Sequence, residues 1–144
     1  GERELGYREA LVNHAPDSPV TMLRGDFGEE SGYRAGQEVL GMRPRPDAVF
    51  AANDMMAIGC MAALREAGIC VPEEIAVSGF DDVPMARYVT PPLTTIQVHI
   101  AELGGQAMAL LGEQLDHPDD VRAGSRRRVG AELVVRASSA APSG

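Results

Sequence analysis

Ala48-Val49-Phe50-Ala51-Ala52-Asn53-Asp54-Met55-Met56-Ala57-Ile58-Gly59-Cys60 is the stretch that decides the fold. Its first five residues form an unbroken apolar run, the pattern of a strand buried on both faces of a parallel sheet. Asn53 and Asp54 then offer a capping side chain. Met56, Cys60, Ala63, Leu64 and Ala67 fall on one helical stripe, and Gly68 stands where a helix ends in a left-handed residue. After the turn Val71-Pro72-Glu73-Glu74, Ile75 to Phe80 repeats the apolar strand pattern. Strand, helix and strand in this order make a parallel unit.

The same alternation runs outward in both directions. Upstream, Arg3 to Asn13 reads as a helix, Val20 to Leu23 as a short strand, and Glu29 to Leu40 as a helix with Tyr33, Gly36, Gln37 and Leu40 on one face. Met42 to Asp47 is a proline-rich connection. Downstream, Asp81 to Pro92 is a loop and Thr94 to Val98 is extended. Ile100, Leu103, Gly104, Ala107, Leu110 and Leu111 then line one side of a long amphipathic helix. His117 to Arg127 reads as polar loop, Val129 to Arg136 as a last strand, and Ala137 to Gly144 as a tail of small residues. The expected fold class is α/β, a doubly wound parallel sheet. The chain opens on a helix with no strand before it, so an upstream strand is expected, leaving an unpaired sheet edge.

The 144 residues suffice for one domain with a core. A formal net charge of −8 argues against this domain gripping phosphates by itself. All 13 basic residues are Arg, which fits coding bias in a GC-rich gene. No apolar run approaches the roughly 20 residues of a membrane-spanning helix, and the charged opening does not resemble a secretion signal. Two cysteines, Cys60 and Cys70, are too few for a disulfide framework and lack zinc spacing, which points to a reducing cytoplasm. His14, His99 and His117 are scattered, no nucleophile motif or phosphate-cradling glycine loop occurs, and neither catalysis nor a cofactor is expected.

In an open parallel sheet, ligands bind outside the carboxyl ends of the strands. Phe27, Asn53, Asp54, Asp81 and Asp82 reach that edge, and Arg3 joins them if a strand precedes the first helix. An aromatic face, an amide, carboxylates and a guanidinium suit a polyhydroxylated ligand such as a sugar. Each residue also has a plainer reading. Asn53 or Asp54 caps a helix, Asp81 and Asp82 form a turn before Pro84, Phe27 is core, and Arg3 is a solvated helix residue. Asp81 and Asp82, being adjacent on an extended segment, point opposite ways and do not act on one substrate. Cys60 sits on the apolar stripe as an inert thiol. Arg126-Arg127-Arg128 reads as a solvated loop, and the Ile100–Leu111 stripe as core or as half of a dimer contact.

Several segments resemble the lactose- and galactose-repressor family of bacterial transcription regulators: Pro46 to Gly59, Gly68 to Asp82, Thr90-Pro91-Pro92-Leu93-Thr94-Thr95-Ile96, the opening around Arg3, Gly6, Tyr7, Ala10 and Leu11, and Gly25-Asp26-Phe27 with Ser31-Gly32-Tyr33. The Asn53-Asp54 motif is shared with periplasmic sugar-binding proteins of transport systems, which are the alternative reading. The Asp81-Asp82 pair and Pro91-Pro92-Leu93-Thr94-Thr95 look like the regulators. The resemblance implies an effector-binding domain of periplasmic-binding-protein-like type, with effector contacts at Arg3, Phe27, Asn53 and Asp81. It also places Val98 where some relatives have a polar ligand contact. Residues 1–93 and 128–137 would then form the C-terminal lobe, and 94–127 would cross toward the N-terminal lobe. Homodimerisation is implied, as is operator DNA binding through a head domain not in this chain. A hydrolase or transferase on a similar sheet is the third reading, and no nucleophile–base pair supports it.

Overall fold

The computed structural model describes residues 2–116 and 130–139. Helix α1 covers Glu2–His14, α2 Glu29–Gly41, β1 Ala48–Phe50, α3 Asp54–Glu66, β2 Ala76–Ser78, β3 Thr95–Val98, α4 Ile100–Asp116 and β4 Ala131–Val134. The expected β-α-β unit is present. β1 and β2 pair in parallel, with Ala48 opposite Ala76 and Phe50 opposite Ser78. β3 and β4 pair antiparallel, with Thr95 opposite Val134. Two parallel bridges, Ser78 to Thr94 and Asp81 to Gln97, lay β3 alongside the end of β2 and join the two ladders.

Helix α3 forms where the sequence signals it. Asn53 is its N-cap, its side-chain oxygen accepting the Met56 backbone N–H. At the other end Gly68 takes a positive φ of 74°. Its N–H donates to Arg65 O, and that of Ile69 to Leu64 O, the paired bonds of a Schellman motif. Between these ends Ala57, Cys60, Met61 and Leu64 are buried in one cluster with Ile75 and Val77 of the β2 segment and Leu93 beyond it, and Ala63 is buried facing Gly36 of α2.

α2 lies on α3 at backbone contact. A β-carbon on Gly32 would stand 2.1 Å from Met56 O, and one on Gly59 2.0 Å from Glu29 O. The buried residues of α2 are Ser31, Gly32, Gly36 and Val39. Of the expected face, Gly36 is buried, Tyr33 and Leu40 are half-buried, and Gln37 is exposed. The contact follows the small residues rather than the large ones.

Three expectations are corrected. Val20 to Leu23 is not a strand: none of the described inter-element backbone hydrogen bonds reaches it, and a strand exists only through its ladder. β1 is not buried on both faces, since Ala48 is exposed and Val49 and Phe50 are half-buried. On one side Tyr7 of α1 covers Phe50, with ring centroids 5.6 Å apart. The tail of small residues is structural where it is described. Ser138 is fully buried, its N–H donates to Pro92 O, its hydroxyl donates to Val77 O, and it accepts the Thr94 N–H.

The Ile100–Leu111 stripe falls on α4, which buries no residue among those described. Ile100, Leu103, Met108, Leu111 and Leu115 are exposed. The polar loop His117–Arg127, with Arg126-Arg127-Arg128, lies outside the described residues, as do Val129 and residues 140–144. No described helix is long and apolar enough to cross a membrane.

Candidate functional site

The carboxyl ends of β1 and β2 open onto a cluster built from distant parts of the chain. Arg3, in the first turn of α1, donates to the Ala52 carbonyl just past β1 and to Asp81 Oδ1 at 3.1 Å. Its guanidinium also lies over the Phe80 ring, 4.0 Å from the centroid. Asp81 is thereby paired, with its carboxylate still partly open to solvent.

Asn53, one residue beyond Ala52, spends both ends of its amide. The oxygen caps α3, and the nitrogen donates to the Phe27 carbonyl at 2.8 Å. Phe27 is held in a left-handed conformation, φ 68°, inside a turn in which Asp26 Oδ1 accepts the Gly28 N–H. Phe27 is 60% exposed, so it is not core. The structure brings Arg3 to Asp81 and Asn53 to Phe27, and the adjacency of Ala52 and Asn53 joins the two pairs. What results is a rim with a guanidinium–carboxylate pair at the strand ends and the Phe27 turn tied beside it through its backbone.

Asp54 and Asp82 belong to the wall behind this rim. Asp54 is fully buried, accepting from Thr95 Oγ1 at 2.5 Å and from the Val83 N–H at 2.9 Å. Burial pushes its carboxyl above the usual carboxylate range. The Asp82 side chain is 1% exposed, pairing with Arg136 at 2.6 Å and accepting from the Gln97 amide at 3.0 Å. Asp81 and Asp82 do point opposite ways, but through consecutive positive φ angles of 114° and 52° rather than through an extended backbone.

Sequence reasoning missed three members of this cluster. Phe80 was read only as a strand residue, and nothing local marks it as the platform for Arg3. Gln97 and Arg136 sit on β3 and just after β4, and their role appears only once those strands pair beside the Asp81-Asp82 turn. Val98 is half-buried on β3 opposite Ala131. Cys60 is buried, and its thiol is pushed up to about 11 by desolvation. Among the described residues no group of three His, Cys, Asp or Glu is placed to hold a metal ion.

With this geometry in view, the chain belongs to the periplasmic binding protein-like domain family, whose model matches residues 1–139. Within that family its relatives are transcription regulators. It is 39% identical over 122 residues, 84% of this chain, to the HTH-type transcriptional repressor PurR of Haemophilus influenzae, and spans 36% of that repressor's length. It superposes on a LacI family transcriptional regulator of Enterococcus faecium with bound ribose at a TM-score of 0.83. That match has 32% identity and covers 96% of this chain and 50% of that one. The lac repressor dimer bound to operator and the anti-inducer ONPF matches at a TM-score of 0.84. There the identity is 30%, with coverage of 95% of this chain and 46% of that one. The chain thus spans about a third of the curated repressor and about half of the solved regulators it matches.

Proposed function

We propose that this chain is part of the ligand-sensing domain of a LacI-type transcription regulator, non-catalytic, and that the rim at the strand ends binds a small sugar-like effector. Arg3 and Asp81 would bond adjacent hydroxyls, Asn53 would hold Phe27 in place, and the Phe27 ring would stack on the C–H face of the ligand. The observation that carries the reading is the Arg3–Asp81 pair. It is a half-exposed donor–acceptor couple drawn from residues 78 positions apart, at the edge where parallel sheets bind ligands.

In the whole protein, residues 1–93 and 128–137 form the C-terminal lobe, and 94–127 cross to an N-terminal lobe outside this chain. The bare apolar side of α4 supports that crossing. A homodimer in the cytoplasm presents its head domains to operator DNA. The effector acts only through its difference in affinity between two lobe arrangements. Ribose in one solved relative, and operator DNA and an anti-inducer in another, support a sensor over a transport protein.

The test is binding of the full-length protein to the DNA upstream of its own gene, with and without sugars, polyols and nucleosides. We expect a protected palindromic site whose affinity changes with one ligand class. A full-length protein that binds sugar and no DNA would overturn the regulator reading in favour of transport.

A further inference from the structure

Two consecutive non-glycine residues with positive φ form an unusual backbone. Asp81 and Asp82, at 114° and 52°, need surrounding structure to hold them there. The hold is visible. The Asp81 N–H donates to Ile96 O at 2.8 Å and that of Asp82 to Thr95 Oγ1 at 3.3 Å, both on β3. The Val83 N–H is taken by the buried Asp54 carboxylate. The closest charge contact comes from 54 residues away, where Arg136, just past β4, donates to Asp82 Oδ1 at 2.6 Å. The second nitrogen of Arg136 donates to Leu93 O at 2.8 Å, and its own N–H to Thr94 Oγ1. Both side chains are shielded, Arg136 at 14% exposure and Asp82 at 1%. The other nearby cation, Arg87, stands 3.7 Å from Asp82 Oδ2 on a largely exposed side chain.

We propose that Asp82 and Arg136 are positioning residues. Their buried ion pair pins the left-handed Asp81-Asp82 turn to β3 and β4, and so aims the Asp81 carboxylate at the Arg3 guanidinium and the ligand. Neither residue touches the ligand. The inference rests on the effector reading for its functional half and on the turn's geometry for its structural half. A shift of β4 would reach the ligand through this pair.

The experiment is amide hydrogen exchange on the full-length protein, wild type against Arg136→Gln and Asp82→Asn, with a D-ribose titration of each. If the pair positions Asp81, exchange at residues 81–83 quickens by about tenfold or more while the amides of α3 keep their protection, since opening is local. Ribose affinity then falls by about tenfold, the scale of one lost charge-assisted contact. Wild-type exchange at 81–83 in both variants would overturn the proposal. So would a uniform quickening across the chain, the mark of a merely structural ion pair, or local opening with ribose affinity retained. Should Arg136→Gln fail to fold, Asp82→Asn, which keeps the shape of the side chain, decides by the same criteria. Failure of the wild type to bind ribose counts against ribose as effector, and the exchange pattern still decides whether the pair holds the turn.

Discussion

Asp81, Asp82 and Asp54 lie within one small region and have three different fates. Asp81 faces the rim, Asp82 an arginine, and Asp54 a hydroxyl and a backbone amide. The Asp54 carboxyl lies above its ordinary range because burial penalises the charge. Its folded value therefore exceeds its unfolded one. The stability it contributes is present below the unfolded value and is lost as pH rises through the folded value. In urea unfolding at a series of pH values, Asp54→Asn should gain stability relative to wild type as pH rises through the carboxylate range. A pH-independent difference would contradict the assignment. Asn53→Ala should cost about 1 kcal/mol through the lost cap, beyond any effect on ligand. In native protein, maleimide should modify the exposed Cys70 and spare the buried Cys60, whose thiol is raised to about 11. Mass spectrometry of the labelled chain checks this. At this scale the sequence was informative where chemistry is local: Asn53 before an apolar stripe is a cap whatever surrounds it. The positive φ at Asp81 and Asp82 was illegible, because β3 and Arg136 hold it.

At the scale of elements, the α2–α3 contact and the Ser138 staple dominate. Gly59→Ala would drive a β-carbon into the Glu29 carbonyl. It should cost about 1–3 kcal/mol or more, the range of core overpacking, measurable as a lowered denaturation midpoint. Ser138→Ala would strand the buried Thr94 N–H and leave Val77 O without its hydroxyl donor. Each orphaned group costs about 1–3 kcal/mol. Periodicity located α1, α2, α3 and α4 well, since each carries its own spacing. It placed Gly36 rightly on the buried face of α2 but missed Ser31, Gly32 and Val39, because Gly32 packs by backbone approach, which a hydrophobicity pattern weights at nothing. It gave Val20–Leu23 a strand on composition, although strands depend on a neighbour. Ser138 was passed over for the same reason: a serine in a small-residue segment carries no signal until its partners are known.

For the whole molecule, the rim at the strand ends and the apolar side of α4 follow from one arrangement. The rim gathers residues from α1, the Phe27 turn, the end of β1 and the turn after β2, so a ligand seated there would depend on the packing of all four. The fold class was legible because strand, helix and strand each carry their own spacing, and Asn53 and Asp81 because positions past β1 and β2 can be counted along the sequence; Arg3 and Phe27, which follow no described strand, were reached through the family resemblance. The wall behind them was not, because β4 returns to it from the far end of the chain. The central claim is that Asp81, held by this packing, meets a polyhydroxylated effector. A thermal-shift screen of the full-length protein against sugars, polyols and nucleosides, run beside Asp81→Ala, tests it most directly. A ligand at about 100 times its Kd should add roughly 2.7 kcal/mol to the wild type, and the same ligand should leave an Asp81→Ala protein of near-wild-type melting temperature unshifted. An equal shift in both proteins would contradict the account.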